Sequence, residues 1–576
     1  MRRSLKTRFF LIPGFILLLL AACSSAATSI PVETPAPTPA LAPEPTATPL
    51  PTATPSPTPT PVVSEPPSGQ PGGSLTVAGL ADIPHRDVHQ EFQETLTSLG
   101  PGLAYSRLLR LRTGPLVEQP SLLLECDLCQ SWQLTEDFAY EFQLRPNIQW
   151  QDIEPVNGRE LVADDLVYSY QRMQTPGWPN ATLFSDRGIG SFEAPDPHTL
   201  RVNLAFLDND ALLSLADGHS KVVAREVVEQ YGDLKDSPVI GTGPWIWEET
   251  KPGVGTKLSR NPDYFEAGLP FLDELAIKLI KPSDVTAPAA QERLAAFQAG
   301  LVDVLILPPE GWGQLYNSSA EFNSLVSHQA GSGVVLSVNV QAPPFDDPAV
   351  RKALFKALDP WEYVDLLWAG QGSVSAGVPV PSPDWLLTSE EMRNDYLANP
   401  SKSRDLLIGT SQRLPLDIEL TVGEFGDIYL ELGRRVAEDL RAVGFNPTIR
   451  ALNPAHYNEV LLGPNKDYQV ILGTIPPTST PNGFLLGFLH SGGPANITGH
   501  HDSTLDALIE RQAAELDPEL RQKQLAEIQR YILGQAYMFS PVTGSSRWVF
   551  GWDLKGFYPN TALSEYIYWS RAWLEP

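Results

Sequence analysis

Between Pro31 and Pro71 the chain places 15 of its 55 prolines, largely as Pro-Thr and Pro-Ala repeats such as Thr52-Ala53-Thr54-Pro55-Ser56-Pro57-Thr58-Pro59. Each proline fixes φ and removes a backbone donor, so this stretch can neither propagate a helix nor enter the interior of a sheet. From Ser24 to Gln70 it also carries few aliphatic residues that could form a core. Polyproline II is the conformation left to it, and ~40 residues at ~3.1 Å each reach roughly 120 Å. The chain therefore divides into a short leader, an extended stalk and a globular part that starts at Gly72. A ligand for an SH3-type domain is the other use of such a segment.

The leader explains the stalk. Arg2, Arg3, Lys6 and Arg8 precede an almost wholly apolar run from Phe9 to Ala22. A basic start, a short apolar run and small residues before a break predict a signal peptide over residues 1–22. The run is too short to cross a ~30 Å hydrocarbon core as a mature helix. It ends Leu20-Ala21-Ala22-Cys23-Ser24-Ser25, which resembles the lipobox of bacterial lipoproteins. That resemblance implies lipidation of Cys23 and a lipidated Pro/Thr-rich linker over 23–71; an ordinary cleavage site is the alternative.

Net charge is −27, from 68 acidic and 41 basic residues. A surface of this sign repels phosphate backbones and anionic headgroups, which argues against nucleic acid as a partner and leaves the lipid anchor as the only membrane contact. At 42% hydrophobic residues the globular part can bury a large core. Helix and strand signals mix along it, which predicts an α/β class. Gly72-Gly73 turns into a strand at Ser74-Leu75-Thr76-Val77-Ala78. Asp346-Asp347-Pro348 starts a helix with an N-cap and a first-turn proline, striped by Val350, Leu354, Phe355 and Leu358. Asp359-Pro360 starts a second, reaching Trp368. Leu432, Val436, Leu440 and Val443 line a third, ended by Gly444, and Thr448–Leu452 reads as the strand after it. Leu520, Leu525, Ile528 and Ile532 stripe a late helix.

Five segments then occur in an order that is similar to one known family. They are Ser131-Trp132-Gln133-Leu134 with Tyr140–Arg145; Asn157-Gly158-Arg159 with Ala163-Asp164-Asp165; Gly241-Thr242-Gly243-Pro244-Trp245; Arg260-Asn261-Pro262-Asp263-Tyr264-Phe265; and Pro344–Leu354. Together they resemble family 5 extracellular solute-binding proteins, the peptide- and nickel-binding lipoproteins of ATP-driven (ABC) importers, over about residues 72 to 560. The resemblance implies a two-lobe, type II periplasmic-binding-protein-like fold of α/β class, with an extra subdomain in lobe I. It implies lobe I over 72–336, lobe II over 337–540 and a return of 541–576 to lobe I. Capture of a small solute (peptide, sugar or other) in the cleft, and delivery to ABC permease and ATPase subunits, follow as expectations. A lipoprotein sensor or adhesion protein using the same fold without transport is the alternative.

By the same resemblance the cleft is expected to be lined by Asp82, Ile83, Trp368, Ser373, Val374, Gly473, Thr474, Ile475 and Pro477. The family's peptide binders hold the ligand's ammonium with an aspartate after a second-lobe strand. By register from Gly473 that position is Pro477, and no acid occurs between Tyr468 and His490. A buried ammonium without an anion costs several kcal/mol, so a solute that is neutral at this end is expected. His85 and His89 stand at a spacing that would place both on one helix face, as solvated or capping residues rather than metal ligands. No metal and no cofactor is expected. Cys126 and Cys129 are read as a disulfide in preference to two buried thiols. No G-x-S-x-G, H-E-x-x-H or Walker motif occurs, and the chain reads as not an enzyme.

If Cys23 carries the anchor, Cys23→Ser will move the protein from the membrane pellet to the soluble fraction. A wild-type protein found wholly in the soluble fraction would refute the lipidation.

Overall fold

The structure is a computed structural model that describes residues 68–576, apart from 80, 92, 281–288, 308–310, 313–314, 316–321, 476–479 and 561–566. In chain order its strands of three residues or more are β1 (Ser74–Gly79), β2 (Leu109–Leu111), β3 (Leu124–Cys126), β4 (Cys129–Leu134), β5 (Ala139–Leu144), β6 (Ile189–Asp196), β7 (Thr199–Leu204), β8 (Trp245–Lys251), β9 (Gly255–Arg260), β10 (Glu274–Leu279), β11 (Val304–Leu307), β12 (Asn323–Val338), β13 (Leu416–Gly423), β14 (Phe445–Leu452), β15 (Val470–Thr474) and β16 (Met538–Phe550). Among the described residues no helix is long and apolar enough to cross a membrane.

Ten strands join edge to edge in the order β14-β13-β15-β12-β16-β11-β1-β10-β9-β8. Two of them, β12 and β16, are longer than the rest and pair antiparallel from Asn323↔Phe550 to Ser337↔Met538. Their first stretch lies beside β11, which pairs Val304↔Phe550 through Leu307↔Arg547. Their second stretch lies beside β15, which pairs Val334↔Thr474 through Val338↔Val470. The register slips between the two stretches, at His328/Gly333, and again at Val334/Leu336, where the pairing with β15 begins. One strand pair thus serves two half-sheets and is irregular where it passes from one to the other. Slips of this kind bend and twist a ladder locally.

The half-sheet from β11 to β8 belongs to the first lobe, together with a separate four-stranded antiparallel sheet, β4-β5-β7-β6, which is the extra subdomain. In the second lobe β15, β13 and β14 run parallel to one another. Parallel neighbours need crossovers, and the helices Asp427–Val443 and Pro454–Leu462 supply them. The two-lobe α/β architecture expected from the sequence is what the structure has.

Local signals are realised where they depend on neighbours in sequence. Asp347 Oδ1 accepts from the Ala349 N–H at 2.8 Å and caps the helix Pro348–Ala357. Gly444, at φ +118°, ends the helix Asp427–Val443 in a conformation that side chains disfavour. The strand after it runs Phe445–Leu452, three residues longer at its start than the apolar run suggested. The late helix, Pro518–Gln535, shows a different stripe. Leu520 is 47% exposed while Arg521 is buried, so the inward positions are Arg521, Leu525, Ile528 and Ile532.

The family-like segments are structural fastenings. Arg159 grips Asp165 with two hydrogen bonds of 2.8 and 2.7 Å, and Asp165 also accepts from the Val162 N–H at the start of the helix Ala163–Met173. In Gly241-Thr242-Gly243-Pro244-Trp245 the Gly243 N–H donates to the Ala104 carbonyl at 2.9 Å, and Asn261 donates to the Gly243 carbonyl at 2.9 Å. This turn lies so close to the backbone of Ala104 that a Cβ on Gly241 would stand 1.9 Å from its oxygen. Backbone cannot yield as a flexible side chain can, so Gly241→Ala should lower unfolding stability by about 3 kcal/mol. Chemical denaturation measures this, and a change below about 1 kcal/mol would show that the turn is not constrained as described.

Candidate functional site

The irregular level of β12 and β16 is where the half-sheets separate, and four of the expected second-lobe positions gather around it. Thr474 pairs with Val334 and Gly473 with Val335, at the end of β15. On the far side of the strand pair, the Ser373 N–H donates to Thr543 Oγ1 at 3.3 Å and its hydroxyl lies 3.1 Å from the same atom. The Thr543 N–H returns a bond to the Ser373 carbonyl at 2.8 Å. Residue 543 is itself paired with Gly333 at the slip. Ser373, Gly473 and Thr474 therefore flank the slipped strands from both sides, with half-buried Ile475 following Thr474.

Gly473 has a steric reason to be glycine. A Cβ there would stand 2.6 Å from the Tyr457 ring, which is wholly enclosed. Pro477 lies outside the described residues. Thr480, on the far side of that gap, accepts from the Gly483 N–H and caps the short helix Pro481–Phe484, so its hydroxyl is engaged.

Two of the expected contacts sit elsewhere. Trp368 and Val374 are each 4% exposed and belong to the hydrophobic core of the second lobe. The expected place of Trp368 and Val374 in the cleft lining is therefore corrected: both are core residues, the Trp368 ring closing the helix Pro360–Leu367.

On the first-lobe side, exposed Asp82 follows β1 and accepts from the Gly253 N–H at 2.6 Å, which ties it to the tip of the β8–β9 hairpin. Ile83 is half-buried and packs near Gly100. The segment carrying His85 and His89 is not a helix, so the shared helix face is also corrected. His89 is buried, with Nε2 2.9 Å from the Lys221 carbonyl and Nδ1 3.0 Å from Arg172 Nη1. Burial, with the Arg172 guanidinium beside it, pushes its pKa down to about 3. The neutral ring is thus a core fastening. Among the described residues no group of three or more His, Cys, Asp or Glu side chains is placed to hold a metal ion. The structure joins Cys126 to Cys129, Cα atoms 5.0 Å apart, where β3 passes into β4.

One polar cluster was not anticipated. After β7, Asp208, Asn209 and Asp210 of the extra subdomain meet Asn482, Gln512 and Arg521 of the second lobe. Asp210 accepts from the Asn482 N–H at 2.7 Å and from Arg521 at 2.8 Å. Asn482 also donates to Asp208 at 2.5 Å and accepts from Gln512 and Arg521 at 2.8 and 3.0 Å. The Asn209 N–H donates to the Ala513 carbonyl at 2.8 Å, and its side chain to the Glu515 carbonyl at 2.6 Å. Every side chain of the cluster except Asn209 is buried. No local signal marked it: Arg521 stands beside Leu520, the residue that apolar periodicity assigns inward.

Two lobes on a shared strand pair, touching again through a dry polar cluster, are the frame of a closing cleft. Residues 124–496 match the family model described as bacterial extracellular solute-binding proteins, family 5, middle portion. The chain belongs to this family. It is 25% identical to a heme-binding protein A of Haemophilus influenzae over 75% of this chain and 80% of that protein. It is also 25% identical to a probable di/tripeptide-binding protein 5 of Pseudomonas aeruginosa, over 80% of this chain and 89% of that one. Among solved structures, the ABC-transporter substrate-binding protein CtaP of Listeria monocytogenes superposes with a TM-score of 0.72 at 19% identity, covering 88% of this chain and 100% of that one. Family 5 members are extracellular binding proteins of transport systems rather than enzymes, and this chain is one of them.

The pairing of Cys126 with Cys129 predicts that the unreduced protein is lighter than the reduced protein by two hydrogens in intact mass. Labelling of both thiols without prior reduction, in protein exported to an oxidising compartment, would refute it.

Proposed function

We propose that this chain is the lipid-anchored capture subunit of an ABC importer, with Cys23 in the membrane and the proline-rich stalk holding the lobes away from it. Lobe I, 72–336 with the returning 541–576, and lobe II, 337–540, close over a small solute and hand it to a permease driven by an ATPase. The observation that carries this reading is the slip in the β12–β16 pair between the half-sheets. A strand pair that is irregular at one level bends there more readily than along its regular stretches. Asp82 and Ile83 on one side, and Ser373, Thr474, Ile475 and Pro477 on the other, are the positions from which solute contacts are drawn.

The solute class follows from charge. Relatives bear names for heme and for di- and tripeptides, and a peptide-like solute suits the family. Acids do reach the segment after β15, namely Asp208 and Asp210, but they come from the first lobe and are spent on Asn482 and Arg521. The segment itself offers threonine and serine hydroxyls and backbone groups, and neutral hydrogen bonds are roughly half as strong as charge-assisted ones. They do not offset stripping water from an ammonium. The solute is therefore neutral where it meets lobe II: an N-blocked peptide, an amide-rich conjugate or a sugar.

Calorimetry decides this with three panels: free-amine di- to pentapeptides, the same peptides N-acetylated, and neutral oligosaccharides. At least one neutral class should bind more than about tenfold tighter than its free-amine counterpart. Submicromolar binding of a free-amine peptide that is lost on acetylation would overturn the neutral-end reading.

A further inference from the structure

The cluster of Asp208, Asn209, Asp210, Asn482, Gln512 and Arg521 spans residues about 300 positions apart, as in the Arg521–Asp210 pair at a separation of 311. The hydrophobic clusters on either side of it, in the extra subdomain and in the second lobe, are separate from one another. The cluster joins the two bodies that a closing cleft must bring together, and it is fully desolvated on joining them: Asp210, Asn482 and Gln512 have no exposed surface and Arg521 is 3% exposed. Buried groups of this kind are costly unless every one is paired. The pairing here is nearly complete. Asp210 has a donor on each carboxylate oxygen, and Asn482 uses its backbone N–H, its amide N–H and its carbonyl oxygen. Such a set is all-or-none. When the lobes part, Arg521, Asn482 and Asp210 must return to water together, because any half-broken arrangement strands a charge.

We propose that Arg521, with Asn482 and Asp210, is the latch of lobe closure, positioning the second lobe against the extra subdomain whether or not a solute is present. This rests on the capture reading only in that the lobes open, and its test contains no solute.

The latch responds to pH through Asp208. Its Oδ1 accepts from Asn482 and from the Asp210 N–H, while its Oδ2 has no hydrogen-bond partner among the described residues. The groups around it are Asp210 on its own loop, Arg187 at 3.7 Å from the helical turn Ser185–Arg187, Tyr140 on β5, and Arg521 beyond Asn482. Burial first, and then the neighbouring Asp210 charge, push its pKa from the ordinary 3.8 up to about 6; Arg187 opposes this only in part. In the open form the carboxyl is hydrated and ordinary, so closing takes up a proton. Closure is then most favourable below the ordinary carboxylate range and weakens as pH rises through about 6.

The test is interlobe energy transfer in the full chain carrying Cys23→Ser, with dyes on Glu136→Cys in the extra subdomain and Gln412→Cys in lobe II, both exposed positions. The Cys126–Cys129 bridge leaves only the two introduced thiols to label. Without solute, the closed-to-open ratio should rise about tenfold or more from pH 8 to pH 5. Arg521→Gln should lower it on the order of a hundredfold at pH 5, and Asn209→Ala by less. If Arg521→Gln does not give a cooperative melt, Asn209→Ala carries the test. A folded variant with the wild-type ratio overturns the latch. A ratio that does not move with pH overturns the role of Asp208. Absence of any bound solute in the calorimetric panels would touch the capture reading and leave this result standing.

Discussion

Everything in this protein depends on two chain segments lying side by side through both lobes. β12 and β16 are the strands that belong to both half-sheets, and the antiparallel ladder between them is what makes one molecule of two bodies. Each half of that ladder is fixed from outside: β11 holds the Val304 to Leu307 side and β15 the Val334 to Val338 side. Between these two pairings, from His328 to Gly333, lies the first slip, where neither neighbour takes part; the second, at Val334/Leu336, falls where the β15 pairing begins. Rigid flanks and an irregular centre give a joint with few degrees of freedom, which suits closure about one axis better than general loosening.

The polar cluster is the second place where the bodies joined by that strand pair meet. Buried, closely paired hydrogen bonds are a suitable material for such contacts. An apolar patch of equal area would cling in many registers and would be sticky when open, whereas Arg521, Asn482 and Asp210 fit in one arrangement only. The same logic accounts for the scarcity of free acids near the segment after β15. The carboxylates that arrive there are already committed to holding the lobes.

Much of the fold was legible in the sequence because the signals are short-range. The Asp347 cap and the Gly444 stop each concern residues a few positions apart, and the structure realises them. The order of family-like segments carried the two-lobe architecture. The second-lobe positions were partly legible for the same reason: Gly473 and Thr474 follow a recognisable strand. What could not be read was the partner of any residue across a long loop. Leu520 was assigned inward because it is apolar, yet the inward face begins at Arg521, whose reason for burial lies 311 residues earlier. Trp368 ends a helix whose apolar face could equally have lined a cleft or a core, and only the packing decides. The four-residue spacing of His85 and His89 suggests a helix face, but that segment is an irregular loop where such periodicity has no meaning.

The return of the C-terminal segment gives the two lobes different histories. The first lobe needs β16 beside β11, and its packing draws on Trp548, Phe550, Phe557, Tyr568 and Trp569 together with Leu75 and Val77 of β1 and Trp245 of β8. A chain emerging from its N-terminal end therefore presents most of lobe I long before the residues that complete it. The second lobe is contiguous apart from the two shared strands, so it can gain structure while the first still waits. During that interval β1, β10 and β11 form a sheet fragment with an unpaired edge at β11, a template for mispairing with other chains until β16 arrives. The last strand of the main sheet in sequence order is thus the one that ends the chain's exposure to aggregation.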